Sequence, residues 1–298
     1  MSIHALTERD LPPAPSQGPA DLLRIAAFGD RPGLHPLPPA ADPEHSWLRA
    51  VALGGQGRYA AARAELARLR GRVGDRGVWA SLGASTEASL LRQLGGHRAA
   101  AILDGRALAA VGAVRAGDVP SVRAWCDAVT GLAADALGRG RLPVSRTLLA
   151  RCASVLDEAE AGGAATAGPG GGDAPYLRQR IRLAWVSAET ALAAGDFATA
   201  RPHAERAVAL SETFGSVRHA IKSELVRAAS LTGEKDLGPA REAAAEVLAR
   251  TGEHGLVPLQ WAAAMLLHGL GGGDEAAHVR DRARDTVVHR GGRFATNG

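Results

Sequence analysis

The chain has 298 residues, 46% of them hydrophobic but only 4% aromatic, and its 35 basic and 31 acidic side chains leave a formal charge of +4. That length can bury a sizeable core, while the interspersed charges, with no run of five or six basic residues, argue against direct nucleic-acid binding. No stretch approaches 18 uncharged apolar residues and MSIHALTERD lacks a basic region followed by an apolar core, so no membrane association and a cytoplasmic location are expected.

Alanine, leucine, arginine and glutamate dominate and β-branched residues never form alternating runs, so the expected fold class is all-α. Lysine occurs only at Lys222 and Lys235, so almost every basic residue is arginine, a bias that fits GC-rich coding.

Residues 1–43 carry many of the prolines and read as a mostly flexible lead-in. Within it, Ala20 to Phe28 has the pattern of a short amphipathic helix that docks on the first hairpin in preference to a partner. The folded part is expected to start where Asp42 caps, Pro43 takes the first helical position and Glu44 complements the helix dipole.

From there a tryptophan recurs ten residues before a glycine, at Trp47 to Gly57, Trp185 to Gly195 and Trp261 to Gly271. One structural unit is therefore written several times. With the turn glycine as a ruler, Gly57, Gly96, Gly140 and Gly195 have a small residue seven positions before (Ala50, Ser89, Ala133, Ala188) and five after (Ala62, Ala101, Ser145, Ala200). Two antiparallel helices approach closely only where small side chains face each other, so each glycine marks a helical hairpin.

A fifth unit centres on Gly233 with two extra turn residues, and a sixth runs from Trp261 through Gly271 to Val287 and caps the array. The expected order is hairpins 1–3 over residues 44–160, a glycine-rich mobile loop over 161–174, hairpins 4–6 over 175–290 and a disordered tail over 291–298. The loop divides the series into two lobes. Cys126 and Cys152 lie outside any ligand-spaced arrangement and read as small buried residues of the third hairpin.

GRYAAARAELARL and GDFATARPHAERAVAL place glycine, aromatic and spaced alanines as tetratricopeptide repeats do. The chain resembles the tetratricopeptide-repeat (TPR) family over roughly residues 44–290, and is similar to degenerate TPR-like helical-repeat proteins of actinobacteria. The resemblance implies an α-solenoid of about six antiparallel helical hairpins, a scaffold whose concave groove holds a protein or peptide segment. Spacings of 39, 44 and 55 residues between the first four turn glycines, and Arg98 in place of the expected turn aromatic, depart from the family's regular unit.

No phosphate loop, dinucleotide fingerprint, HExxH or nucleophile elbow is present, so no catalytic residues, no cofactor and no metal ligands are assigned. Nor do the ten histidines share a face at ligand spacing. Polar character concentrates instead between Arg178 and Arg227. There Arg178, Arg182 and Glu189 fall near one helical face, while Arg218 pairs with Lys222 and Ser223 with Arg227 at four-residue separation.

If both helices line the concave wall, Arg178, Arg182, Trp185, Glu189, Arg218, Lys222, Ser223 and Arg227 form a binding surface for an acidic partner segment. The competing reading is a set of ordinary solvated charges. The repeated tryptophans align with the groove side, yet Trp185 centres an apolar stripe with Ile181, Ala184, Ala188 and Leu192, which favours core packing. Trp79 and Trp125 are expected at helix starts.

Three functions remain open: a non-catalytic protein-binding scaffold acting in bacterial regulation, a ligand-responsive module with its ligand between the lobes, and an all-α enzyme. A closed apolar pocket with converging polar groups would mark the enzyme, and an open groove either of the first two.

Overall fold

The computed structural model of the chain describes residues 18–115, 117–162 and 174–295. Most of the expected mobile loop at 161–174 therefore lies outside the described residues, as do residues 1–17 and 296–298 of the two termini. Among the described residues the protein is all-α, with thirteen helices and no strand.

A leading helix α1 (Pro19–Phe28) precedes six hairpins. They pair α2 (Pro43–Gly55) with α3 (Tyr59–Val73), α4 (Val78–Arg92) with α5 (His97–Val111), and α6 (Val119–Gly138) with α7 (Leu142–Ala161). The series continues with α8 (Leu177–Ala193) on α9 (Phe197–Phe214), α10 (Val217–Ser230) on α11 (Gly238–Glu253), and α12 (Val257–Gly269) on α13 (Gly273–His289). As the cap signal implied, Asp42 accepts a hydrogen bond from the His45 amide at 2.8 Å, and Pro43 opens α2.

Each hairpin closes on the small-residue pair that the ruler anticipated. Ala50 and Ala62, Ala133 and Ser145, Ala188 and Ala200, and Ala264 and Ala276 are all within 1% of complete burial. The ruler slips by one residue in the second hairpin, because the left-handed turn residue is Gly95 (φ +83°) and not Gly96. Counting from Gly95 selects Ala88 and Ala100, both fully buried, in place of Ser89 and Ala101, and it puts His97 rather than Arg98 at the helix start. The fifth hairpin absorbs its two extra residues in a 3-10 turn, Leu231–Gly233, with Ala228 and Ala240 as the buried pair.

First helices pack against first helices, α2 on α4, α4 on α6, α6 on α8 and α8 on α10, and α12 returns to α2. Gly57 just beyond α2 abuts the start of α12, where an added Cβ would sit 3.3 Å from Val257. The amino end of α12 thus meets the carboxyl end of α2. The last hairpin thereby meets the first, and the first helices close a ring.

Two segments expected to be loose seal this closure. From α13 the chain crosses to the first two hairpins: Ala60 N donates to Arg290 O at 3.0 Å and Arg63 Nη2 to Gly291 O at 2.8 Å in the first, and Ala295 N to Leu94 O at 2.7 Å in the turn of the second. Phe294 lies against Trp261 with ring centroids 5.0 Å apart, so residues 291–295 are packed where a disordered tail was expected. One aromatic side chain with an apolar wall opposite it is enough to hold a short terminus.

Residues 18–43 are likewise not a loose leader. Leu23, Ala26 and Ala27 of α1 are buried, Gln56 Nε2 donates to the carbonyls of Pro32 and Leu34 at 2.9 Å each, and Val217 N donates to Gly29 O at 3.2 Å. α1 docks on α2, as expected, and also reaches α10.

The third and fourth hairpins pack directly, so the overlap of the loop with their junction makes no gap between lobes. Arg180 pairs with Asp157 and Glu160 at 2.6 and 2.7 Å, and the Ser145 and Thr190 hydroxyls bond at 2.9 Å across the joint. Cys126 and Cys152 are free thiols buried within the third hairpin, and Trp125 sits in the body of α6 rather than at its start. Trp79 is the second residue of α4.

Deleting residues 291–298 removes the Phe294 contact and the Ala295 hydrogen bond from the ring closure. The expected loss is about 2 kcal/mol, a few degrees in thermal midpoint, whereas a frayed tail would leave the midpoint unchanged. Calorimetry of the truncated chain distinguishes the two.

Candidate functional site

The first helices surround a half-open cavity of about 520 Å3 lined by all six of them, with Phe28 of α1 among the lining residues. This is the volume range of small-molecule sites. Measured from the turn, the position ten residues earlier faces this cavity in five hairpins, as Trp47, Ser85, Thr130, Trp185 and Trp261. The tryptophan echo is therefore a cavity-lining register, and the core reading is qualified: all three indoles are half-buried, with Trp47 and Trp185 packed on the core by one side and lining the cavity by the other. Two of them are fixed by their polar edge, Trp47 Nε1 donating to Thr86 Oγ1 at 3.0 Å and Trp185 Nε1 to Ser223 Oγ at 2.8 Å.

On the α4–α6 side the wall carries a buried ionic cluster. Arg92 Nη2 pairs with Asp104 and its Nε donates to Asp135 at 2.8 Å, while Ser85 Oγ donates to Asp104 at 3.0 Å. Both carboxylates are essentially inaccessible. Glycines on α6 make this approach possible, since a Cβ on Gly131 would lie 2.2 Å from the Asp104 carboxylate and one on Gly138 would strike the His97 ring at 2.3 Å. His97 Nδ1 rests 3.5 Å from Asp135.

One guanidinium between two carboxylates leaves a net negative charge in a dry place. Burial first, and Asp135 beside it, push the Asp104 carboxyl up to about 7 against the opposing pull of Arg92.

The α8–α10 side has the opposite imbalance. Arg178 pairs with Asp127 of α6, and Arg182 approaches the same carboxylate at 3.4 Å. Arg218, at the start of α10, makes no ion pair among the described residues. Its Nη2 donates to Ala27 O at 3.0 Å, and its Nε is buried without a hydrogen-bond partner. Burial first, then Arg178 and Arg182, push the Arg218 guanidinium down to about 10. Burial first, then Arg218, Arg178 and Arg182, hold His219 well below the usual histidine range, so it sits as a neutral ring with Ser216 Oγ 2.9 Å from its Nδ1.

An aromatic wall runs beside these cations. Phe28 contacts Trp47 and His219 with centroids 5.4 and 5.9 Å apart, and His219 stacks on Trp185 at 5.3 Å. Arg178 and Arg218 lie over Phe28 at 5.4 and 5.9 Å. Lys222 sits 5.9 Å over Trp185 and pairs with Glu189 at 2.5 Å.

Of the eight residues expected on a binding surface, Arg178, Arg182, Trp185, Glu189, Arg218 and Lys222 all line the cavity. Ser223 is fully buried, accepting from Trp185, and Arg227 turns outside the cavity wall to pair with Glu224 at 2.6 Å. Sequence reasoning missed Phe28, Arg92, Asp104, Asp127 and Asp135. Asp127 and Arg182 both fall thirteen residues before their turn glycines, Gly140 and Gly195, so the register itself held a signal for that pair.

Because the folded chain favours the protonated Asp104, that group contributes stability fully present below the unfolded carboxylate value of 3.8 and lost as pH rises through about 7. Asp104→Asn should flatten the decline in unfolding free energy that the parent shows between about pH 4 and 8. Arg92→Met leaves two buried carboxylates uncompensated, and should cost about 3–5 kcal/mol at pH 8 and less at pH 5. Denaturant titrations of the three chains across this range measure both effects.

No family model, no curated protein and no solved structure matches this chain.

Proposed function

We propose that the chain is a non-catalytic, regulatory binding module of TPR-like hairpins that receives an acidic ligand in the cavity ringed by its first helices. The observation that carries this reading is the cluster of three guanidiniums, Arg178, Arg182 and Arg218, served by the single carboxylate Asp127. Keeping the part-buried Arg218 without a counter-charge, its Nε sealed from water and unpartnered, costs stability, and an anion brought into the cavity supplies what it lacks. Binding is favoured over catalysis because Asp104, Asp127, Asp135 and Glu189 are each engaged by a cation of the wall.

A volume of about 520 Å3, within the range of small-molecule sites, favours a small molecule. A second reading, entry of the acidic end of a protein segment, is supported by the repeat register, which turns one stripe of every first helix toward the same interior. An extended peptide running past all six hairpins is not favoured, because the contact of α12 with α2 closes the path.

The test is a thermal-shift and calorimetric panel on the whole chain. Benzoate and a Glu-rich peptide represent the two acidic ligands, with benzylamine and benzyl alcohol as cationic and neutral counterparts. The acidic probes should raise the midpoint, by about 2.7 kcal/mol of added stability at a hundredfold excess over Kd. Arg182→Gln combined with Arg218→Met should remove that response. Equal stabilisation by benzylamine, or no response to either acid, would overturn the proposal, and a response to the peptide alone would select the second reading.

A further inference from the structure

Resting on the reading above, the charge balance and the wall chemistry of this site narrow the ligand further. At the α8–α10 end of the cavity Arg178 and Arg182 pair directly with one carboxylate, Arg218 makes no ion pair among the described residues, and Asp104 of the facing cluster offsets Arg182 only from farther off, so positive charge is in excess there. The neighbouring Lys222 and Glu189 neutralise each other at 2.5 Å and add nothing to that excess. A lone carboxylate ligand brings one negative charge and two acceptor oxygens to this excess. A phosphate monoester brings about 1.5–2 negative charges at neutral pH and three acceptor oxygens, one for each guanidinium.

Guanidinium forks match phosphate oxygens in pairs, which ammonium groups do not. The donors for such pairing are present. Arg218 Nε is buried and unpartnered, and its Nη2 is held only by the carbonyl of Ala27 at the end of α1. Arg182 meets Asp127 at 3.4 Å, longer than a hydrogen bond, so its donors are not saturated by that contact. Asp127 Oδ1 also lacks a hydrogen bond, which a phosphate drawing both arginines inward would not supply; its role is to hold Arg178 in place.

The rest of the ligand is specified by what adjoins the cations. Phe28, Trp47 and Trp185 line the cavity beside these cations, which lie over their faces, and Ala134, Leu137 and Val186 complete an apolar floor. A flat aromatic body gains ring-edge contacts and area burial there that a bare ion does not. We infer that the cavity binds a phosphate monoester of an aromatic body, with its phosphate on Arg178, Arg182 and Arg218 and its ring against the Phe28, Trp47 and Trp185 wall.

The probes are 1-naphthyl phosphate, 1-naphthoate and inorganic phosphate, titrated into the whole chain with calorimetry and intrinsic tryptophan fluorescence as readouts. Three of the five tryptophans line the cavity, so ring entry should quench emission. Naphthyl phosphate should bind at least tenfold more tightly than either comparator.

Arg218→Met should fold with an equal or higher thermal midpoint, since it removes an unpaired buried cation, and should weaken naphthyl phosphate by about ten- to a hundredfold. Arg218→Lys keeps the charge without the fork and should fall between. If naphthoate binds as tightly as the phosphate and is lost in Arg218→Met, the phosphate assignment fails while the acidic-ligand reading stands. Phosphate binding with no advantage from the ring overturns the aromatic assignment, and binding of none of the probes overturns both readings.

Discussion

The close approach of the two helices in each hairpin is the constraint from which the rest of this structure follows. A fully buried small residue seven positions before the turn faces another five positions after it, and the pairing consumes one face of every first helix. At about 100° per residue, the positions three, six, ten, thirteen and seventeen before the turn then lie about 40–120° around the helix from that contact. This is the face that looks into the ring. The same spacing in successive hairpins turns six separate stripes onto one interior, so a cavity arises from packing without any segment devoted to building it.

Closure adds a second condition. The contact of α12 with α2 is held by few groups: Gly57 against Val257, the Arg290 to Ala295 crossing, and α1 lodged between α2 and α10. Gly57 needs its left-handed conformation (φ +73°) and its missing side chain at once, because it both ends α2 and receives the start of α12. α1 in turn delivers Phe28 and the Ala27 carbonyl to the arginine cluster, so the element that seals the ring also forms part of the candidate site.

The hairpins, their order and the small-residue contacts were legible in the sequence because they obey short periodicities. So were Arg178, Arg182, Arg218 and Lys222 as members of one surface, since helical spacing alone aligns them. The side that the tryptophans face was not legible. A stripe that lines a cavity and a stripe that fills a core have the same period and a similar composition, and only the path of distant hairpins separates them.

The Arg92, Asp104 and Asp135 cluster was invisible for a related reason: its members sit on three helices and share no motif spacing. The one-residue slip at Gly95 had a local cause, two adjacent glycines of which only one carries the positive φ. The packing of Phe294 and of the residues after Phe28 is not legible either, because short aperiodic contacts leave no periodic trace in the sequence.

The cavity holds two ionic groups whose charges fail to cancel, and they resolve the imbalance differently. On the α4–α6 side the surplus is negative, and a carboxyl pushed to about 7 can relieve it by keeping a proton. The α8–α10 side has a positive surplus, and the corresponding relief would be loss of a proton from an arginine. Even the most depressed of them, Arg218 at about 10, stays charged at neutral pH. A proton therefore completes one cluster from within, while the other has no internal means of neutralising itself. In the proposed function that difference separates structure from recognition: the first cluster fastens α4, α5 and α6 together, and the second waits on an anion.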